Sequence, residues 1–147
     1  MQLQSESNPA LNTVTAYGQD YIEINSVSYE HAVYFGPEGE IKPWPVKTVA
    51  DITVALLREA AGLRDMVADP MAFLEGDAAA QKPADAPEVI LVGTGLKQQF
   101  LPPEVTQSLL KMGIGIETMS TQAAARTYNI LMAEGRRVIA ALLPLEP

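Results

Sequence analysis

Glu88-Val-Ile-Leu-Val92 runs directly into Gly93-Thr94-Gly95. An apolar run of strand length with no polar alternation is the signature of a β-strand covered on both faces. The residues downstream of it define its surroundings. Pro102-Pro103-Glu104 opens a helix, with proline in the first turn and an acid near the positive end of the dipole. Val105, Leu109 and Met112 form its buried stripe, and Gly113 ends it. Ile114-Gly-Ile-Glu-Thr118 is a second strand. Ser120 or Thr121 caps a second helix that runs to about Glu134 and stops at Gly135, and Arg137-Val-Ile-Ala-Ala-Leu-Leu143 is a third strand closed by Pro144. Strand, helix, strand, helix, strand predicts an α/β layer around a largely parallel or mixed sheet.

Upstream the texture changes. Thr13–Tyr17, Tyr21–Ile24, Ser26–Tyr29 and Ala32–Phe35 are short and rich in β-branched and aromatic residues, with Gly18, Asn25 and Gly36-Pro37 between them. These read as strands and turns. Ile41-Lys-Pro-Trp-Pro45 carries two prolines, each lacking a ladder donor, so it is at most an edge strand. A helix is expected from an Asp51 N-cap through Leu56, Leu63 and Val67, with Gly62 weakening its middle, and a short one restarts at Asp69-Pro70. Gly76–Pro87 is poor in apolar groups able to offset ordering and reads as a mobile loop. One domain, 12–147, is expected after a disordered tail, 1–11.

Composition excludes whole chemistries. The 147 residues include no cysteine and one histidine, His31. Disulfides, thiolate metal sites and a cysteine nucleophile are therefore out, and no metal or other cofactor is implied. A catalytic triad would depend on His31, which sits in a strand region, and no Gly-x-Ser-x-Gly elbow is present, so no catalytic residue is assigned. The net charge of −8 argues against nucleic acid as a partner. It is also uneven: residues 1–88 hold 14 acidic and 5 basic groups, residues 89–147 hold 4 and 5. The polar start and the short apolar runs predict a cytoplasmic protein with no membrane insertion.

Two places carry candidate binding chemistry. Gly93, Thr94 and Gly95 follow a buried strand, where backbone amides in an α/β sheet can approach an anion, although no complete dinucleotide or phosphate-loop motif is present. On the helix after Ser120, an α-helical projection places Ala123, Ala124, Thr127, Ile130 and Leu131 on the buried arc. Gln122, Arg126, Asn129 and Ala133 fall opposite, as a strip of amide and guanidinium groups. Tyr128 borders the buried arc, and Glu134 falls on its side, where it needs a partner such as the guanidinium of Arg136 or Arg137. A turn and a solvent face explain the same residues without a ligand.

Pro87–Gly95, Gly113-Ile-Gly-Ile-Glu-Thr-Met-Ser120, Ala124-Ala-Arg-Thr-Tyr-Asn-Ile-Leu131 and Glu134-Gly-Arg136, with Tyr29 and Ile41–Pro45 upstream, occur in this order. Over Thr13–Pro144 the chain resembles the domain of unknown function 498 family, whose members include a mitochondrial complex I assembly factor and an adipogenesis-associated domain protein. The resemblance implies a three-layer α/β fold, a central mixed sheet flanked by helices with additional N-terminal antiparallel strands. It implies no established enzymatic activity. Gly93, Gly95, Arg126, Tyr128, Asn129, Glu134 and Arg136 match the family's motifs. The expected function is thus a non-catalytic protein-binding domain, of the complex I assembly type. The alternative is an anionic-ligand binding protein or enzyme using Gly93–Gly95 and Arg126. Self-association as a homo-oligomer is a third reading.

Overall fold

The computed structural model describes residues 11–63 and 86–145. The expected tail up to residue 10, the Val67 end of the first helix, the Asp69-Pro70 helix and Gly76–Asp85 lie outside the described residues. Strands β1 (Val14–Tyr17), β2 (Ile22–Ile24) and β3 (Val27–Tyr29) form an antiparallel meander in that order. A second sheet has the order β5-β4-β8-β6-β7. It is built from β4 (Val33–Phe35), β5 (Lys42–Pro43), β6 (Val89–Gly93), β7 (Gly115–Met119) and β8 (Val138–Leu142). β6 lies parallel to both β7 and β8, and β4 runs antiparallel to β8 and β5. The sheet is therefore mixed, and the proline-rich β5 is at its edge, as a strand lacking donors must be.

β6 explains the unbroken apolar run. It is paired on both edges, and its side chains alternate between two separate cores. Ile90 and Val92 face helices α1 (Val54–Ala60) and α2 (Pro103–Lys111), packing with Leu57, Leu109 and Ile114. Leu91 faces α3 (Thr121–Ala133), among Ala124, Ala125 and Tyr128. The meander adds Val14, Ile22 and Ile24 to that second core. Helices, central sheet, and α3 with the meander make the three layers expected.

The meander is attached to α3 by polar contacts as well as apolar ones. Asn129 accepts a hydrogen bond from the Val14 amide at 3.0 Å and donates to the Val14 carbonyl at 2.9 Å. Its carboxamide thus occupies the place of a neighbouring strand on the open edge of β1. Tyr128 donates to the carbonyl of Asn12 at 2.7 Å, and its ring meets Phe35 edge to face with centroids 5.0 Å apart. Burial pushes the Tyr128 hydroxyl well above its ordinary range, so it remains a donor.

Several sequence expectations need correction. Asp51 does not cap the first helix: its carboxylate accepts from the amides of Lys47 and Thr48 behind it and closes a 3-10 turn, Val49–Asp51. The helix starts at Val54, capped by Thr53, and stops after Ala60, with Gly62 beyond its end at φ +79°. The buried face of α3 is Thr121, Ala124, Ala125, Tyr128 and Met132, whereas Ile130 is 59% exposed. Small alanines let this helix approach the sheet, and the meander covers its flank, so hydrophobicity alone picked the wrong arc. Glu134, expected on the buried side, is the exposed C-cap of α3. Finally, Leu11 packs against the second core, and Ala86 and Pro87 are buried rather than part of a loose loop.

Asn129→Ala leaves both polar groups of Val14 without their partner. It is expected to lower unfolding free energy by about 1–3 kcal/mol, with Asn129→Asp no better, since a carboxylate oxygen would then face the Val14 carbonyl. Urea denaturation with an unchanged slope checks this.

Candidate functional site

Ligands of open α/β sheets gather where loops from adjacent parallel strands leave toward opposite faces. Here that point is the carboxyl end of β6 and β7: β6 leads to α2 on one face, β7 to α3 on the other. Gly93, Thr94 and Gly95 occupy it. A Cβ on Gly93 would lie 2.9 Å from the Thr121 hydroxyl and 3.0 Å from Thr121 Cα, so glycine is required for close packing against α3. Gly95 has φ +101°; its amide donates to Thr121 Oγ1 at 2.9 Å and its carbonyl accepts the Thr121 amide at 2.8 Å. Thr121 in turn donates its hydroxyl to the Leu143 carbonyl at 2.6 Å, binding the ends of β6, β8 and α3 together.

The amides on either side of Gly95 are engaged too. The Thr94 amide donates to Met119 O, and the Leu96 amide to Leu145 O. Thr94 Oγ1 lies 2.7 Å from the Lys97 carbonyl and accepts from the Gln99 amide. Gln98 Nε2 donates to Thr118 O at the edge of β7. An anion cradle needs unpaired amides pointing at the ligand. Those of Thr94, Gly95 and Leu96 point into the protein.

The other candidate residues do not converge on this turn. Arg126 is exposed on α3, with no hydrogen bond or ion pair among the described residues. Gln122 lies on the same helix, half-buried. Tyr128 and Asn129 hold the meander. Arg136 pairs with Glu88 at 2.8 Å rather than with Glu134, because the strand start at Glu88 lies beside the chain entering β8. The Arg136 hydrogen bond, then the Arg137 amide, hold the Glu88 carboxyl below its usual value, and Glu88 raises Arg136 in return. His31 is exposed, its ring against Tyr29 and its Nδ1 3.0 Å from the Ala32 carbonyl.

Two cavities bear on these residues. One of about 380 Å³ adjoins the glycine turn and is lined by Lys47, Thr48, Thr94, Lys97, Gln99 and Leu145, among others. The other, about 780 Å³, lies at the opposite end of the sheet and includes Tyr34, Glu59, Leu63, Arg136, Arg137 and Ile139. Arg126 lines neither. Neither cavity therefore joins Arg126 to the Gly93–Gly95 turn. Lys47 and Lys97 escaped notice because they come together from segments far apart in sequence with no shared periodicity.

Comparison with known proteins places these features. A family profile described as protein of unknown function (DUF498/DUF598) matches residues 14–143. A Bordetella pertussis protein described as an Mth938-like domain, solved by solution NMR, is 58% identical, covers 99% of this chain and 94% of its own, and superposes with a TM-score of 0.77. A Bordetella parapertussis crystal structure is 56% identical, covers 92% of this chain and 97% of its own, with a TM-score of 0.74. Over 57 residues the chain is 44% identical to NADH dehydrogenase (ubiquinone) 1 alpha subcomplex assembly factor 3 of Mus musculus. That match spans 39% of this chain and 31% of the mouse protein, so it covers less than half of that relative's length.

The Glu88–Arg136 pair predicts a pH signature. A carboxyl held below its ordinary 4.5 favours the fold above that pH and loses this contribution as pH falls through its lowered value. Carboxyl-carbon NMR should show Glu88 titrating below 4.5, and Arg136→Gln should move it back toward 4.5. Because the pair is exposed, the accompanying stability change should be small.

Proposed function

The chain belongs to the DUF498/DUF598 family of proteins of unknown function, and on that premise we propose that it is a non-catalytic protein-binding domain assisting assembly of a respiratory complex. The mouse relative bears the name of a complex I assembly factor, which supports the assembly role. The observation that carries the binding role is the outer face of α3. Arg126 and Ile130 are one turn apart and both exposed, Ile130 at 59%, on a helix whose other side is anchored in the core. Arginine is among the residues enriched at protein interface centres, and Ile130 supplies exposed apolar area beside it. Gln122 and the methyl of Ala133 extend the strip along the helix.

The anionic-ligand reading draws no support from the glycine turn, whose amides are already paired. A cytoplasmic protein working without membrane insertion fits this proposal, and no helix among the described residues is long and apolar enough to cross a membrane. The acidic balance disfavours nucleic acid.

Tagged wild type and an Arg126→Glu/Ile130→Asp variant should be compared in affinity enrichment from native extract, with light scattering to detect self-association. Losing an interface centre worth about 2 kcal/mol weakens binding about 30-fold. The variant should lose a protein set that the wild type retains, while circular dichroism stays unchanged because both side chains are exposed. Equal retention by both would count against this face.

A further inference from the structure

The Leu96–Leu101 segment between β6 and α2 holds apolar groups in water on an ordered base. Phe100 is 79% exposed and Leu96 54% exposed. Three contacts pin the segment beneath them: Thr94 Oγ1 with the Lys97 carbonyl, Thr94 Oγ1 with the Gln99 amide, and Gln98 Nε2 with the Thr118 carbonyl. A loop fixed in this way has little ordering left to undergo on binding, so an aromatic side chain it projects is a preorganised anchor.

The charge beside it is opposite to that of the protein as a whole. The 380 Å³ cavity under Leu96 has Lys47 and Lys97 in its lining and, among the described residues, no carboxylate. Asp51, whose carboxylate accepts from the amides of Lys47 and Thr48, offsets part of the Lys47 charge, and among the described residues Lys97 is the uncompensated cation of the lining. Gln99, which also lines the cavity, immediately precedes Phe100. In a chain of net charge −8 the cavity lining at this pole of the molecule carries a small cationic excess, two lysines against the neighbouring Asp51, which favours an acidic rim on whatever covers it.

We propose that this pole is a second docking surface, on which Phe100 enters an apolar pocket of a partner protein while Asp or Glu side chains at the pocket's edge reach Lys47 and Lys97. The inference rests on the protein-binding reading and adds to it a separate surface and the chemistry of what covers it. A lipid surface is the weaker occupant: two apolar side chains and two lysines fall short even of a single acyl chain, which itself gives only marginal membrane attachment.

The test places the photo-crosslinking residue p-benzoylphenylalanine at position 100, at Arg126 and, as a control on an exposed strand of the meander, at Val27, in the full chain in its native cells. Light should give a discrete protein adduct from position 100 and none from position 27. Combining the position-100 probe with Lys47→Glu and Lys97→Glu should reduce that adduct at least about tenfold, the effect of removing favourable charge pairing from a docking surface. Circular dichroism checks that the fold is retained, since these side chains are exposed. No protein adduct from position 100, or one indifferent to the charge reversal, overturns the proposal. So does Phe100-dependent co-sedimentation with vesicles of phosphatidylcholine and phosphatidylglycerol in place of a protein adduct. An adduct from position 126 without one from position 100 would overturn this surface alone, and silence at both positions would overturn the protein-binding reading with it.

Discussion

A strand that is hydrogen-bonded along both edges and buried on both faces can communicate with solvent only through its ends. β6 is such a strand, and the packing of this protein is organised around it. Its carboxyl end is closed by Thr121, whose hydroxyl receives the Gly95 amide and donates to Leu143, while its Cα lies too near Gly93 to admit any side chain there. The glycines that would let a phosphate approach in another α/β protein instead let a helix approach. One buried threonine thereby joins the last turn of a central strand, the start of α3 and the exit of β8.

The same helix transmits that order to the N-terminal meander. β1 is an edge strand of a three-stranded sheet of short strands, which packs its apolar side chains against α3. Asn129 completes the hydrogen bonding of Val14, and Tyr128 reaches Asn12 from within the second core. α3 therefore has three distinct sides. Ala124 and Ala125 lie against the main sheet, its Tyr128–Asn129 side holds the meander, and Arg126 with Ile130 faces outward. The residues free to recognise a partner are those left after the first two tasks are met.

The sequence makes the alternation of strands and helices after residue 87 plain, because apolar runs, prolines and helix-ending glycines are local signals. The prolines of Ile41–Pro45 likewise announce an edge. Less legible is anything decided by packing from two directions. Ile130 reads as core by hydrophobicity, yet the alanines and Tyr128 hold that position. Asn129 reads as surface, yet its carboxamide is spent on the backbone of Val14. Asp51 is as good a cap by type as Thr53, and only its turn back toward Lys47 decides between them. Arg136 finds Glu88 across the sheet rather than Glu134 two residues away, a choice that depends on strand order. Of the candidate site, the residue types were legible but not their engagement, since packing alone ties the Thr94, Gly95 and Leu96 amides and the Tyr128 and Asn129 side chains into the fold.

These contacts make the glycine turn at the carboxyl end of β6 structural and leave outward-facing side chains for the proposed recognition. Native-state hydrogen exchange followed by NMR tests this most directly, because it reports whether the turn's amides are engaged or open. The amides of Thr94, Gly95 and Leu96 should exchange as slowly as those of β6, opening only when the sheet opens, with Lys97 and Gln98 exchanging much faster. Exchange of Thr94 and Gly95 at the rate of an open loop would contradict the account and return the glycine turn to the role of a ligand cradle.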